Sequence, residues 1–179
     1  MTTRLTRDEI LNGLNRLLEL CTAHDLAVRV QVVGGGAIAL RYNLNRQPTV
    51  DVDCIVLGET SHRERFAQLI LDVASEFGWP NDWMNHKVGI FWPETNDNLG
   101  WITILVDGAS KVEIAGPRML LAMKLRAGRP LRDVPDIDVL LDHADVHSLV
   151  QAEEVFDEYF PYDAMPARTM VWLKARFAS

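Results

Sequence analysis

Asp51 and Asp53 lie in the run Thr49-Val-Asp-Val-Asp-Cys-Ile-Val-Leu57, where they alternate with Val50, Val52 and Cys54. Alternation of this kind is the pattern of a two-faced strand. Residues two apart on a strand project from one face, with Cα atoms roughly 7 Å apart. Two carboxylates held so suit a shared magnesium ion, because a hard dication takes several oxygen ligands and phosphate oxygens complete the shell. Upstream stand Gly34, Gly35 and Gly36, directly after the β-branched run at 28–33. Glycines adopt backbone angles closed to other residues and let another group approach closely. Residues 37–42 read as a short helix whose first N–H groups face outward, where a phosphate binds well. Arg46, in the polar turn before the acids, is either a solvated loop cation or a guanidinium fork for the same phosphate oxygens. Taken singly, the glycines read as a tight turn and the acids as a solvated strand face. Neither reading explains why the acidic pair follows the glycines by one short helix.

The elements that must position these residues are legible around them. Thr6 caps a helix starting at Arg7, with Glu9 as capping-box partner. Ile10, Leu14, Leu17, Leu18 and Cys21 form its apolar stripe. Residues 61–77 read as a helix burying Phe66, Leu69, Ile70, Val73 and Phe77. The segment 78–98 is irregular and aromatic, with Trp79, Trp83, Phe91 and Trp92. It either packs on the sheet or stacks over a nucleotide base. His86 and Lys87 in it have no metal-like partner spacing. Segments 101–106 and 111–115 read as two strands joined by Asp107-Gly-Ala-Ser110, a strong hairpin signal. Alternation puts Val112 and Ile114 on the core face, and Glu113 on the other beside Lys111.

Pro117 fits the first turn of a further helix. There Leu120, Leu121, Lys124 and Leu125 share a face, so Lys124 interrupts an apolar stripe and either snorkels or points into a site. The run from Arg132 to Asp136 opens the next helix, with Asp133 as its N-cap and Asp136 in its first turn. Two more helices follow, at 147–159 and 168–177, with Pro161 and Pro166 bracketing the break. The basic edge Arg168, Lys174 and Arg176 reads as a solvated face, or else as a contact for nucleic acid or an acidic protein.

The chain has 179 residues, 48% of them hydrophobic, and a formal net charge of −7. That supports a sizeable core and argues against a generally basic nucleic-acid-binding surface. The leading MTTRLTRDE carries no apolar signal segment, and no run is long and apolar enough to span a membrane. Cys21 and Cys54, both in apolar segments, read as buried thiols in a reducing compartment. A cytoplasmic protein without membrane attachment is the expectation.

The glycine turn, short helix and Asp51-x-Asp53 pair resemble the nucleotidyltransferase superfamily of DNA polymerase beta, and the match covers the first half of the chain. The run Arg46-Gln-Pro-Thr49-Val-Asp51-Val-Asp53 is similar to the Arg-x-Thr-x-Asp-x-Asp run of toxin-like transferases, one residue longer between Arg and Thr. The segment from Pro117 resembles the distal motifs of the AbiE-type toxin family, in which a helix carries a lysine and the next carries Arg-(Lys)-Asp-x-x-Asp. The resemblance implies an α/β (α+β) fold: a mixed sheet flanked by helices at 1–116, then a helical region at 117–179. It implies Mg²⁺ at Asp51 and Asp53, with Glu113 as a third ligand. Gly34, Gly35, Gly36 and Arg46 would then hold the NTP, with Lys124 also balancing its charge, while Asp136, or else Asp133, pairs with Lys124 or contacts the nucleotide. The implied activity is transfer of a nucleoside monophosphate to tRNA or protein by a toxin with a cognate antitoxin. A small-molecule, antibiotic-type nucleotidyltransferase and a non-catalytic nucleotide- or partner-binding protein of the same fold are the alternatives.

Overall fold

The computed structural model describes residues 4–59, 63–85 and 100–178, except for the side chains of 130 and 131. Contacts divide the chain into two compact units, residues 1–88 with 101–114, and residues 89–100 with 115–179. The architecture is mixed α+β: a five-stranded sheet flanked by helices, and a C-terminal helical region.

The first unit grows from β1 (Val28–Val32), which lies mid-sheet. It pairs antiparallel with β2 (Val52–Gly58) and parallel with β5 (Ser110–Ile114). Beyond β2 lies β3 (Met84–Asn85), parallel to it, and beyond β5 lies its hairpin partner β4 (Ile102–Asp107). Val28, Val30, Val32, Val52, Cys54, Val112 and Ile114 are buried on one face, as their alternation requires. The other face carries Arg29, Gln31, Asp53, Ile55, Lys111 and Glu113, with Gln31 in register with both Ile55 and Glu113.

Helix α1 (Arg7–Ala23) packs on β4 and β5 and on α3 (Arg63–Phe77). Its capping box forms as expected: the Thr6 hydroxyl accepts from Glu9 N at 3.3 Å, and Glu9 accepts from Thr6 N at 2.7 Å. Gly13 joins the buried side of α1, because a Cβ there would lie 2.6 Å from the Trp79 ring. Trp79 stacks on Phe77 at 4.7 Å and tilts against Trp83 at 5.3 Å. Trp83 is fully buried and donates from Nε1 to Ile70 O at 3.0 Å. These two tryptophans are therefore packing residues. His86, Lys87, Phe91 and Trp92 lie outside the described residues.

Local readings change around the glycines and the acids. The glycines do not precede a helix; α2 (Gly34–Ala37) begins on them and widens into a π-helical turn, Ile38–Tyr42. Gly34 adopts φ +62°, so the chain turns into the helix in one residue after the extended Val33. The missing side chain at Gly34 then lets α2 lie close on β2. Asp51 stands one residue ahead of β2 rather than in it, and Val50 is exposed. The hairpin turns on Gly108 at φ +55°, as Asp-Gly leads one to expect.

The second unit holds α4 (Pro117–Ala127), α5 (Pro130–His143), α6 (Leu149–Tyr159) and α7 (Ala167–Phe177). Helix α4 packs on α5 and α6, and α7 packs on α5 and α6. Pro117 sits in the first turn of α4, and Gly128 ends it in the left-handed conformation at φ +60°. Helix α5 opens at Pro130, earlier than expected, and continues through Pro135. Asp133 is consequently not an N-cap, and Asp136 falls in the second turn. No helix among the described residues is long and apolar enough to cross a membrane.

Candidate functional site

Strand pairing fixes Asp53 from both sides. Its carbonyl accepts from Val33 N at 2.9 Å, and the preceding Val52 N donates to Trp83 O at 2.7 Å. The parallel register then sets Asn85 of β3 directly beside Asp53. Asn85 Nδ2 donates to Asp51 Oδ2 at 3.1 Å and to Asp53 Oδ1 at 3.4 Å. One amide thus bridges the two acids, which places both carboxylates at a common point.

The glycine turn closes on the same residues. A Cβ on Gly34 would lie 2.8 Å from Asp53 Oδ2, so glycine leaves the space that this carboxylate uses. A Cβ on Gly35 would lie 2.9 to 3.1 Å from the two terminal nitrogens and the central carbon of the Arg46 guanidinium. Arg46 also donates to Gln47 O at 3.2 Å. Glycine turn, arginine and acid pair, separate in the sequence, converge in space.

Glu113 has a different setting. It lies on the same sheet face as Asp53 but is almost fully buried, between Lys111 and Arg29. Lys111 Nζ meets Oε1 at 2.5 Å, Gln31 Nε2 donates to Oε2 at 3.0 Å, and Arg29 Nε is 3.6 Å away. Burial alone would push this carboxyl up, but the Lys111 and Gln31 hydrogen bonds and the Arg29 and Lys111 charges outweigh it. The net effect holds it below 4.5. Among the described residues, no group of three or more His, Cys, Asp or Glu side chains is gathered as a metal shell.

In the second unit Lys124 is buried, as its place on an apolar stripe implies. It donates to Asp133 Oδ1 at 2.9 Å and to Asp136 Oδ2 at 2.8 Å. The two acids are three apart on α5 and so share a face. Arg129 adds a cation 3.4 Å from Asp133 Oδ2. The lysine therefore engages both acids, where the sequence left the choice open.

Asn85 is the residue that sequence reading passed over. Met84-Asn85 is too short to show alternation, and an asparagine before a histidine carries no signal of its own. A cavity of about 350 Å³ lies beside β2, lined by Cys54, Val56, Phe66 and Ala67 among others, and none of the candidate residues lines it. Burial raises the Cys54 thiol to about 12 and the Cys21 thiol to about 11, with the charges of Asp53 and Asp107 adding to the effect. Compared with known proteins, the chain matches no family model, no curated protein and no solved structure.

Proposed function

We propose that the first unit is the core of a magnesium-dependent nucleotidyltransferase that moves a nucleoside monophosphate from an NTP to an acceptor hydroxyl and releases pyrophosphate. The observation that carries this reading is the convergence of Asp51, Asp53, Gly34 and the Gly35–Arg46 contact on one end of β2. The donor set suits the ion: two carboxylates gathered at one point are hard oxygen ligands. The cradle suits it too, since the space at Gly34 is kept free for Asp53 Oδ2.

Bound magnesium would neutralise developing charge on the phosphoryl oxygens and the leaving group. The chain's own residues do the rest. Asp51 and Asp53 would hold the ion. Of glycines 34–36, Gly35 would leave room for the triphosphate beside the Arg46 guanidinium, at a helix start whose first N–H groups lack intrahelical partners. Arg46, lying on that turn, balances triphosphate charge with its planar fork. The acceptor oxygen forms a bond to the α-phosphorus as the bond to pyrophosphate breaks, and one carboxylate takes the hydroxyl proton. The resemblance assigns Glu113, Lys124 and Asp136 to the same chemistry. It also assigns the chain to toxin–antitoxin pairs, with tRNA or protein as acceptor.

The test incubates the full chain with each α-³²P-labelled NTP and Mg²⁺, adding total tRNA, the protein itself or cell lysate. Label on one acceptor with the wild type, and none with Asp51→Ala/Asp53→Ala, is the expected result. Label on a small molecule instead selects the antibiotic-type reading. Absence of both transfer and magnesium–NTP binding by calorimetry overturns the proposal.

A further inference from the structure

Asn85 stands where a cation shared by Asp51 and Asp53 would sit. Its Nδ2 is 3.1 Å from one carboxylate and 3.4 Å from the other, and its Cα is the register partner of Asp53. Two carboxylates this close repel, and the partly positive NH₂ between them offsets that repulsion. An arriving dication changes the requirement. An NH₂ facing the ion is repelled, whereas the other end of the same amide is an oxygen of the kind that such cations accept. Half a turn about the last side-chain bond exchanges the two with almost no change of shape. Asp would lack the NH₂ and Ala would lack both groups, whereas the asparagine amide serves both states.

We infer that Asn85 is the cation-responsive partner of the acid pair: its NH₂ bridges Asp51 and Asp53 without metal, and its Oδ1 serves as a further oxygen donor once a divalent cation binds. This rests on the reading that Asp51 and Asp53 hold such a cation. It adds a ligand that neither motif nor spacing indicates.

The test is titration of the full chain with Mn²⁺, followed by calorimetry and by the electron paramagnetic resonance signal of free Mn²⁺. Thermal unfolding is measured in parallel, with and without the ion. The variants are Asn85→Ala, Asn85→Asp and Asp51→Asn/Asp53→Asn. Asn85→Ala should bind Mn²⁺ about 10- to 100-fold more weakly. Asn85→Asp should bind at least as tightly as wild type, yet unfold at lower temperature without Mn²⁺ and recover when it is added. A bystander asparagine would leave both affinities unchanged, and that result overturns the inference while Mn²⁺ binding by wild type preserves the cation reading. A purely structural amide would weaken binding equally in both variants, which also overturns it. Failure of wild type to bind Mn²⁺ removes the cation reading, and this inference falls with it.

Discussion

At the scale of single residues, the most informative position is Gly34. It combines a left-handed φ of +62° with a Cβ direction that ends 2.8 Å from Asp53 Oδ2. A side chain there costs about 1–2 kcal/mol for the backbone alone. Asp53 is short and joined through Asn85 to Asp51, so it cannot yield without disturbing the pair. Gly34→Ala should therefore lower the urea midpoint and weaken Mn²⁺ binding together, measured by denaturation and calorimetry. Unchanged Mn²⁺ affinity would show that the glycine serves the turn only. Glu113 makes a second residue-scale case. Its carboxyl is held below 4.5 in the fold, so near that pH the unfolded chain binds more protons than the native one. Its contribution is complete above 4.5 and fades as pH falls through the lowered value. Glu113→Gln should flatten the pH dependence of the urea midpoint on the acid side of 4.5. An unaltered slope would refute the pairing with Lys111, Gln31 and Arg29.

Elements carry the second cluster. Lys124 on α4 reaches across to two acids on α5, and all three side chains are almost fully buried. Removing the lysine takes away the cation that the two carboxylates share, with Arg129 remaining on Asp133. Breaking a buried ion pair from one side costs about 3–5 kcal/mol, mainly because the survivor is uncompensated. Lys124→Met should thus destabilise strongly, and adding Asp133→Asn and Asp136→Asn should restore much of the loss. If the triple variant is no better than the single one, the cluster is not what holds α4 to α5. The same elements show what sequence can and cannot convey. Helix α1 and the β4–β5 hairpin were legible because cap, stripe and turn each depend on residues within a few positions. The buried lysine was legible because a charge stood in an apolar stripe. The opening of α5 was misplaced because Arg132-Asp133 looks like a start signal, whereas Asp133 is drawn inward by Lys124. Strand β3 and Asn85 could not be read, since two residues show no period and their role comes wholly from pairing with β2. The acids, glycines and Arg46 stood out as residue types, but their meeting is a product of tertiary structure.

At the scale of the whole molecule, the two cysteines report whether the acid-bearing sheet stays closed. Cys21 lies on α1 and Cys54 on β2, both fully buried and both raised in pKa, to about 11 and about 12. The reactive species is the thiolate, so near neutral pH the folded chain offers almost none. Labelling must then pass through an opened form, and its rate follows the population of that form when closing is fast. Cys54 directly follows Asp53. An opening that frees its thiol by undoing β2 also dismantles the acid pair, so a ligand of that pair suppresses that route. Linkage gives the size: a ligand at 100 times its Kd stabilises the closed state by about 2.7 kcal/mol, and slows labelling through that opening about 100-fold. Wild type with Mg²⁺ and NTP should therefore show Cys54 labelled much more slowly than without them, followed by mass spectrometry of the modified peptides. Asp51→Ala/Asp53→Ala should show no such protection. Equal protection in wild type and variant would place nucleotide binding away from the acids, while protection of Cys21 alone would tie it to α1 instead.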